Sequence, residues 1–208
     1  MLMSLFEHMV TVFLGFFAIM NPIANTAVFA GLTSNKSKSE QIKIASKALI
    51  ITFIVILLFA VLGKAIFHLF GITLPALRIA GGILVFIVGY HMLHGDNSKL
   101  HTAEQNYDSD IAVSPLAVPL LAGPGTIATA MNYSASGGWG EIIVTVAMFA
   151  ILCIITFFCF IYSSKILVII GESGLSIITR LMGLILTVIG AQMLIIGVSS
   201  VMHLPVVG

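Results

Sequence analysis

Two interruptions in long apolar stretches contain the residues best suited to bind a ligand. The candidate substrate-binding residues are Asn21, Pro22, Asn25, Thr26, Gly123, Pro124, Gly125 and Thr126. Proline lacks an amide hydrogen and fixes its own backbone angle, so it interrupts a helix but suits the first position of a new one. We therefore expect Asn21 and Gly123 to be the N-caps of two half-helices that begin at the prolines.

The ends of these half-helices offer complementary binding chemistry. Each new half-helix would present unpaired amide hydrogens and the positive end of its dipole, which favour an anionic group such as a carboxylate. The unpaired carbonyls that end the preceding half-helices, near Ile19 and Leu121, favour an ammonium group or a sodium ion. Gly125 would let a ligand approach the backbone closely. No Asp or Glu lies deep in an apolar stretch, so the site favours a small neutral, zwitterionic solute.

The missing carboxylates also bear on energy coupling and on other chemistry. A carboxylate proton relay needs buried acids, so we expect a sodium or solute gradient to drive transport more readily than protons, with sodium favoured as a coupling ion. The chain contains neither an HExxH motif nor a Walker loop, so no protease or ATPase activity is expected. No enzymatic activity, cofactor, metal site or nucleic-acid partner is predicted.

The same interruptions also fit a purely structural role. Prolines kink membrane helices without binding anything, and neighbouring Ser or Thr hydroxyls satisfy the freed backbone groups. Two classes of function therefore stay open at this stage. One is a transporter with its site at the breaks, and the other is a non-transporting membrane scaffold or assembly protein in which the breaks only shape helix packing.

The elements around the breaks are predicted to be membrane-spanning helices. Hydrophobic residues make up 59% of the 208 residues and charged residues only 8%, a balance that indicates an integral membrane protein. A spanning helix needs about 20 apolar residues. Six stretches of this kind cover residues 5–31, 42–63, 72–93, 111–134, 141–163 and 176–201.

The two breaks belong to an internal repeat. Pro22 and Pro124 are 102 positions apart, and the same offset relates Arg78 to Arg180, the only arginines in the chain. A shared offset for rare residues predicts a duplicated unit, and three spans per unit make the second copy inverted in the membrane. The predicted parts of the single membrane domain, 1–208, are a first three-helix repeat, a cytoplasmic linker and a second three-helix repeat, at residues 1–95, 96–110 and 111–208.

Basic residues predict the orientation of this six-helix arrangement. Of the nine lysines and arginines, Lys64 and Arg78 fall on one side and the other seven on the opposite side. The positive-inside rule then places both termini outside the cytoplasm. Arg78 and Arg180 each open a helix at an interface, so anchoring to lipid headgroups is favoured over ligand contact.

Four segments together closely resemble the MarC family of bacterial inner-membrane proteins. They are Phe17–Pro22, Phe70–Gly82, Val118–Ile127 and Ile178–Gly183. The resemblance covers nearly the whole chain. It implies six spanning helices, a location in the bacterial inner membrane with periplasmic termini in the orientation above, and a place among transporters and exporters of small neutral amino acids such as glycine and alanine.

The predicted function is therefore secondary transport or export of a small neutral amino acid. Transport would proceed by rocking of the two inverted three-helix halves around the paired breaks. The predicted partners are a small-molecule substrate and the lipid bilayer. A homo-oligomer also stays open, because several glycines permit close helix packing within or between protomers, namely Gly81, Gly82, Gly89, Gly183 and Gly190.

Overall fold

The regular elements are all helices in the part of the chain that the computed structural model describes, residues 2–71, 73–94, 112–135 and 138–202. The predicted linker, 96–110, lies outside these residues. The helices in chain order are α1 Leu2–Met20, α2 Pro22–Leu32, α3 Lys38–Phe70, α4 Leu74–His94, the π-helical α5 Ala112–Leu121, α6 Pro124–Ala135, α7 Trp139–Ile161 and α8 Ser163–Met202. The α8 helix bends at Gly171, whose φ is 66°.

Five helical stretches among the described residues are long and apolar enough to cross a membrane. They are Phe6–Leu32, Lys38–Gly63, Leu74–His94, Trp139–Ile161 and Ser173–Met202. The predicted all-α membrane fold is therefore confirmed with five such stretches instead of six. The remaining one, 111–134, is divided into α5 and α6, of 10 and 12 residues, and neither alone reaches the length of a spanning helix.

Glycines allow α4 and α8 to pack against each other more closely than ordinary helices do. A Cβ atom on Gly82 would lie 2.8 Å from the carbonyl oxygen of Gly190, and one on Gly89 would lie 2.7 Å from that of Gly183. Side chains at these positions would therefore push the two backbones apart. The earlier glycine of α4 contacts the later glycine of α8, so the two helices run antiparallel. All four glycines therefore pack against each other within one chain.

The glycine contacts fit the predicted repeat with a slightly different offset from that of the breaks. Gly82 and Gly183 are 101 positions apart, and so are Gly89 and Gly190, so a shift of 101 positions converts one contact into the other. The break prolines, in contrast, are 102 positions apart. A one-residue difference in chain length between the break and the third helix of each half accounts for this. Arg78 and Arg180 are therefore not equivalent, and the structure leaves Arg78 half-buried but Arg180 exposed.

The helices of the two sequence halves are interlocked. From the first half, α3 packs on α6 and α7, α4 packs on α6 and α8, and α2 packs on α7 and α8. Separation of the halves as rigid bodies would break these contacts, including the close glycine packing of α4 on α8. Rocking of the two three-helix halves stays a prediction, and it would require these contacts to change.

Buried side chains instead divide the molecule into two apolar clusters. The larger cluster contains side chains from every helix except α4 and α8, with Phe16 and Phe149 among them. The smaller cluster joins Val85 of α4 to Leu186 of α8 and includes Ala18 of α1. The α4–α8 pair is thus a packing unit of its own, and the remaining helices form the other unit.

Contacts at the two ends of the bundle show which helix termini lie together. At one end, called the Lys38 end, Lys38 Nζ donates to the carbonyl oxygen of Ile161, the last residue of α7, at 3.0 Å. At the opposite end, called the His8 end, His8 Nε2 lies 2.6 Å from Glu141 Oε2 in the first turn of α7. The helices α1 and α7 therefore start at the His8 end, and α3 starts at the Lys38 end. The predicted first, second and fifth spans have the same relative directions.

Candidate functional site

The first break is capped by Asn21, as predicted. Its φ of 41° and ψ of 70° are left-handed, and it is the one non-glycine residue with positive φ among the described residues. Its Oδ1 accepts a hydrogen bond from the amide of Ala24 at 3.3 Å, and Pro22 is the first residue of α2. Asparagine tolerates this backbone conformation better than most residues, which explains the Asn-Pro pair.

The side chains that follow the first break satisfy nearby carbonyl groups. Asn25 Nδ2 donates to the carbonyl oxygen of Met20, the last residue of α1, at 2.6 Å. Thr26 Oγ1 donates to the carbonyl oxygen of Pro22 at 2.7 Å, and both side chains are buried. The carbonyl end of α1, where the sequence predicts an ammonium group or a sodium ion, therefore already has one internal donor.

Asn21 has one donor that the described residues leave unused. Its side chain is only 4% exposed, and Nδ2 has no hydrogen-bond partner among them. An unpaired buried amide hydrogen costs about 1–3 kcal/mol. Because Nδ2 lies at the N-terminus of α2, where the helix dipole favours negative charge, a bound anion would supply the missing acceptor.

The second break has the predicted boundaries but a different use for its glycine. The carbonyl oxygen of Gly123 accepts from the amide of Ile127 at 3.0 Å, which places Gly123 at the N-cap position before Pro124. A Cβ atom on Gly125 would lie 2.7 Å from Cδ1 of Ile19. A side chain of the first break therefore occupies the space beside Gly125, and the approach of a ligand to this glycine stays a prediction.

The two breaks meet where the two apolar clusters adjoin, a region that we call the seam. Ala18 belongs to the smaller cluster and Met20 to the larger one, so the end of α1 contacts both. Ile19 between them and Val85 of α4 both lie against Gly125. The remaining predicted site residues follow within the first turns of α2 and α6, with Thr126 buried.

The contact between α4 and α6 extends the seam toward the His8 end. Gly81 packs against Ala128, since a Cβ on the glycine would lie 2.9 Å from the alanine Cβ. One turn further, Arg78 Nε donates to Asn132 Oδ1 at 3.0 Å. The Arg78 side chain therefore contacts the neighbouring helix of the other half, a contact that its interpretation as a headgroup anchor does not predict.

Sequence reasoning also gave too little weight to Thr129. This residue is 2% exposed, and its hydroxyl has no hydrogen-bond partner among the described residues. It follows Gly125 by four positions and so lies on the same face of α6. The sequence signal for this residue is a hydroxyl side chain within an apolar stretch, one helical turn after Gly125. No group of three or more His, Cys, Asp or Glu side chains in the described ranges is arranged to hold a metal ion.

Comparison with known proteins identifies the class of this chain. Residues 6–202 match the model of a family described as MarC family integral membrane protein. The chain belongs to the MarC family. The resemblance seen in the sequence is thereby confirmed, and so is the assignment as a multi-pass integral membrane protein.

MarC-family relatives match over almost their whole length. The UPF0056 membrane protein YvbG of Bacillus subtilis is 40% identical, and the match covers 91% of this chain and 93% of the relative. A UPF0056 membrane protein of Pyrococcus abyssi is 34% identical over 96% of this chain and 98% of its own. One from Aquifex aeolicus is 34% identical, with 93% of both chains covered. No solved structure matches the chain.

Proposed function

We propose that this MarC-family protein is a secondary transporter or exporter of a small neutral, zwitterionic amino acid. The observation that carries the proposal is the buried, unpartnered Nδ2 of Asn21 at the N-terminus of α2. Pro22 has no amide hydrogen, and the amides of Ala24 and Asn25 are bonded to Asn21 itself. Nδ2 and the amide of Ile23 are therefore the donors left at the start of α2, and two donors of this kind would suit one carboxylate.

The other groups of the seam fit a solute without net charge. They are apolar side chains, amides and hydroxyls, and the acids with described side chains, Glu7, Glu40 and Glu141, lie toward the helix starts at the two ends of the bundle. A charged substrate would meet no fixed countercharge at the breaks. For the same reason we propose coupling to sodium or to the solute gradient rather than to protons, with no cofactor and no enzymatic step.

The proposed architecture has six spans in two inverted repeats, with the first and fourth broken at the two prolines. Three features support it. The glycine contacts of α4 and α8 interchange between the halves, and α2 packs on α8 as α6 packs on α4. A glycine with φ of 66° also precedes the last apolar stretch of each half, Gly71 before Leu74–His94 and Gly171 before Ser173–Met202. We further propose that the protein lies in the bacterial inner membrane with both termini periplasmic.

The division into two packing units supports a different movement from rocking of the halves. The α4–α8 pair would move as one body against the other helices, because its glycine contacts are internal to it. The seam with both breaks lies between the two bodies. Such a movement would open the seam alternately toward the Lys38 end and the His8 end, which is what alternating access requires.

A non-transporting scaffold remains the second candidate function, and one observation favours it. The side chains of Asn25 and Thr26 satisfy carbonyl groups at the first break without any ligand. Flux of neutral amino acids into proteoliposomes, with and without sodium and proton gradients, separates the two. Saturable flux above that of protein-free liposomes supports the transporter, and its absence for the whole panel, with correctly inserted protein, supports the scaffold.

A further inference from the structure

Arg78 is placed where its positive charge is poorly compensated. It is the fifth residue of α4, near the positive end of that helix's dipole, which disfavours a cation. Its side chain is half-buried, and its one hydrogen bond with the described residues runs from Nε to Asn132 Oδ1. The only ion pair between described side chains is that of His8 with Glu141, so no carboxylate in this part of the chain neutralises Arg78.

Asn132 bonds the guanidinium of Arg78 through Nε alone. An arginine has five N–H donors in a planar fork, and Asn132 uses only the one on Nε. The remaining donors of the fork match the two oxygens of a carboxylate. The hydrogen bond also keeps the side chain at the contact between α4 and α6, whereas a headgroup anchor would extend away from the bundle.

This arrangement is absent from the corresponding place in the other half. The shift of 101 positions that relates α4 to α8 takes Arg78 to Thr179, which carries no charge, and the position 102 residues before Asn132 is Ala30. The pair therefore distinguishes the His8 end of the seam from the Lys38 end. Helix packing does not require the pair of Arg78 and Asn132, because the corresponding helices of the other half pack without such a pair.

We propose that Arg78, positioned by Asn132, binds the carboxylate of a small solute at the His8 end of the seam, separately from the breaks. Asn132 follows Gly125 by seven residues, which is about 10 Å along the helix. A solute held beside Asn132 would therefore lie about two helical turns from the second break, and we place this site before or after the one at Asn21 along the path. That the ligand is an amino acid rests on the proposed function, whereas the affinity for a carboxylate does not.

The test measures ligand binding by the full-length protein in nanodiscs of neutral lipid. The probes are L-alanine, acetate and L-alaninamide, which lacks the carboxylate. All variants are made in an Asn21→Gly background, so that the proposed site at the first break contributes little to the measured binding. Arg78→Gln is then compared with Arg180→Gln, which removes the same charge at an exposed position, and Arg78→Lys and Asn132→Ala are added in case Arg78→Gln does not fold.

We expect Arg78→Gln to weaken the binding of alanine and acetate about ten- to a hundredfold, the usual effect of losing hydrogen bonds to a charged group. Arg78→Lys and Asn132→Ala should weaken it less, Arg180→Gln should leave it unchanged, and alaninamide should bind weakly throughout. Equal effects of the two glutamine variants, or no binding of acetate and alanine to the background, would overturn the site.

Two further outcomes separate this site from the function proposed above. Acetate binding that depends on Arg78, without any alanine binding to the wild type, keeps the site and contradicts amino-acid transport. Alanine binding to the wild type that ignores Arg78 contradicts the site and keeps transport. If Arg78→Gln changes only the stabilisation by phosphatidylglycerol nanodiscs, the residue is a lipid anchor and the proposal is overturned.

Discussion

Ile19 of the first break fills the space beside Gly125 of the second, so close that a Cβ on the glycine would lie 2.7 Å from the isoleucine Cδ1. The two interruptions, about a hundred residues apart in the chain, are therefore in direct contact. Ala18 and Met20 on either side of Ile19 belong to different apolar clusters. The contact thus ties both breaks to the boundary between the two packing units.

Enlargement of Gly125 should separate the breaks. We expect Gly125→Val to lower the free energy of unfolding by about 1–3 kcal/mol, as overpacking usually does, and Ile19→Ala in the same chain to restore part of it. Thermal unfolding in detergent would measure both. Gly140→Val is the control, because nothing lies within 4 Å of a Cβ at that position. Equal losses for the two glycine variants, without rescue by Ile19→Ala, would contradict the contact.

A methyl group on Gly89 should disrupt the α4–α8 pair. Its Cβ would lie 2.7 Å from the carbonyl oxygen of Gly183, and backbone cannot yield as a side-chain end can. We expect Gly89→Ala to destabilise the protein by about 1–3 kcal/mol. The matched control is Gly31→Ala in α2, which has open space and should gain stability, by about 0.5–1 kcal/mol, from the better helix former. Equal unfolding temperatures for both variants would argue against the close packing.

Much of this arrangement was accessible from the sequence, and the reasons differ by feature. The boundaries at Pro22 and Pro124 could be predicted because proline acts locally, and the membrane helices because hydropathy is a property of a single segment. The direction of Arg78 and the use of Gly125 could not, because both depend on which helices pack together. The shift from 102 to 101 positions could not be predicted either, because it depends on which glycines of α4 and α8 contact each other.

Asn21 separates stability from binding more cleanly than other positions do. Glycine tolerates positive φ and is an acceptable N-cap, so Asn21→Gly should cost only a few tenths of a kcal/mol while it removes Nδ2. We expect its affinity for a neutral amino acid to fall about ten- to a hundredfold. Asn21→Ala should lose affinity and also about 1–2 kcal/mol of stability from backbone strain. Unchanged affinity in both variants would remove Asn21 from the binding site.

The proposed orientation makes a prediction for accessibility from the two sides of the membrane. Cysteine at Lys38 should react with an impermeant thiol reagent only from the cytoplasm, and cysteine at Gly138 only from the periplasm, because the two lie at opposite ends of the bundle. The chain's own Cys153 and Cys159 lie within α7, so the protein without them is the background. Labelling of both positions from one side would contradict the arrangement.

Amino-acid flux in proteoliposomes tests the proposed transporter most directly. The panel should include glycine and L-alanine, with sodium, proton and solute gradients imposed separately, and the proteins should be the wild type, Asn21→Gly and the Gly31→Ala control. We predict saturable flux that follows a sodium or solute gradient, falls about tenfold or more in Asn21→Gly, and persists in Gly31→Ala. Absence of flux by the correctly inserted wild type, or equal flux by all three proteins, would contradict transport through the paired breaks.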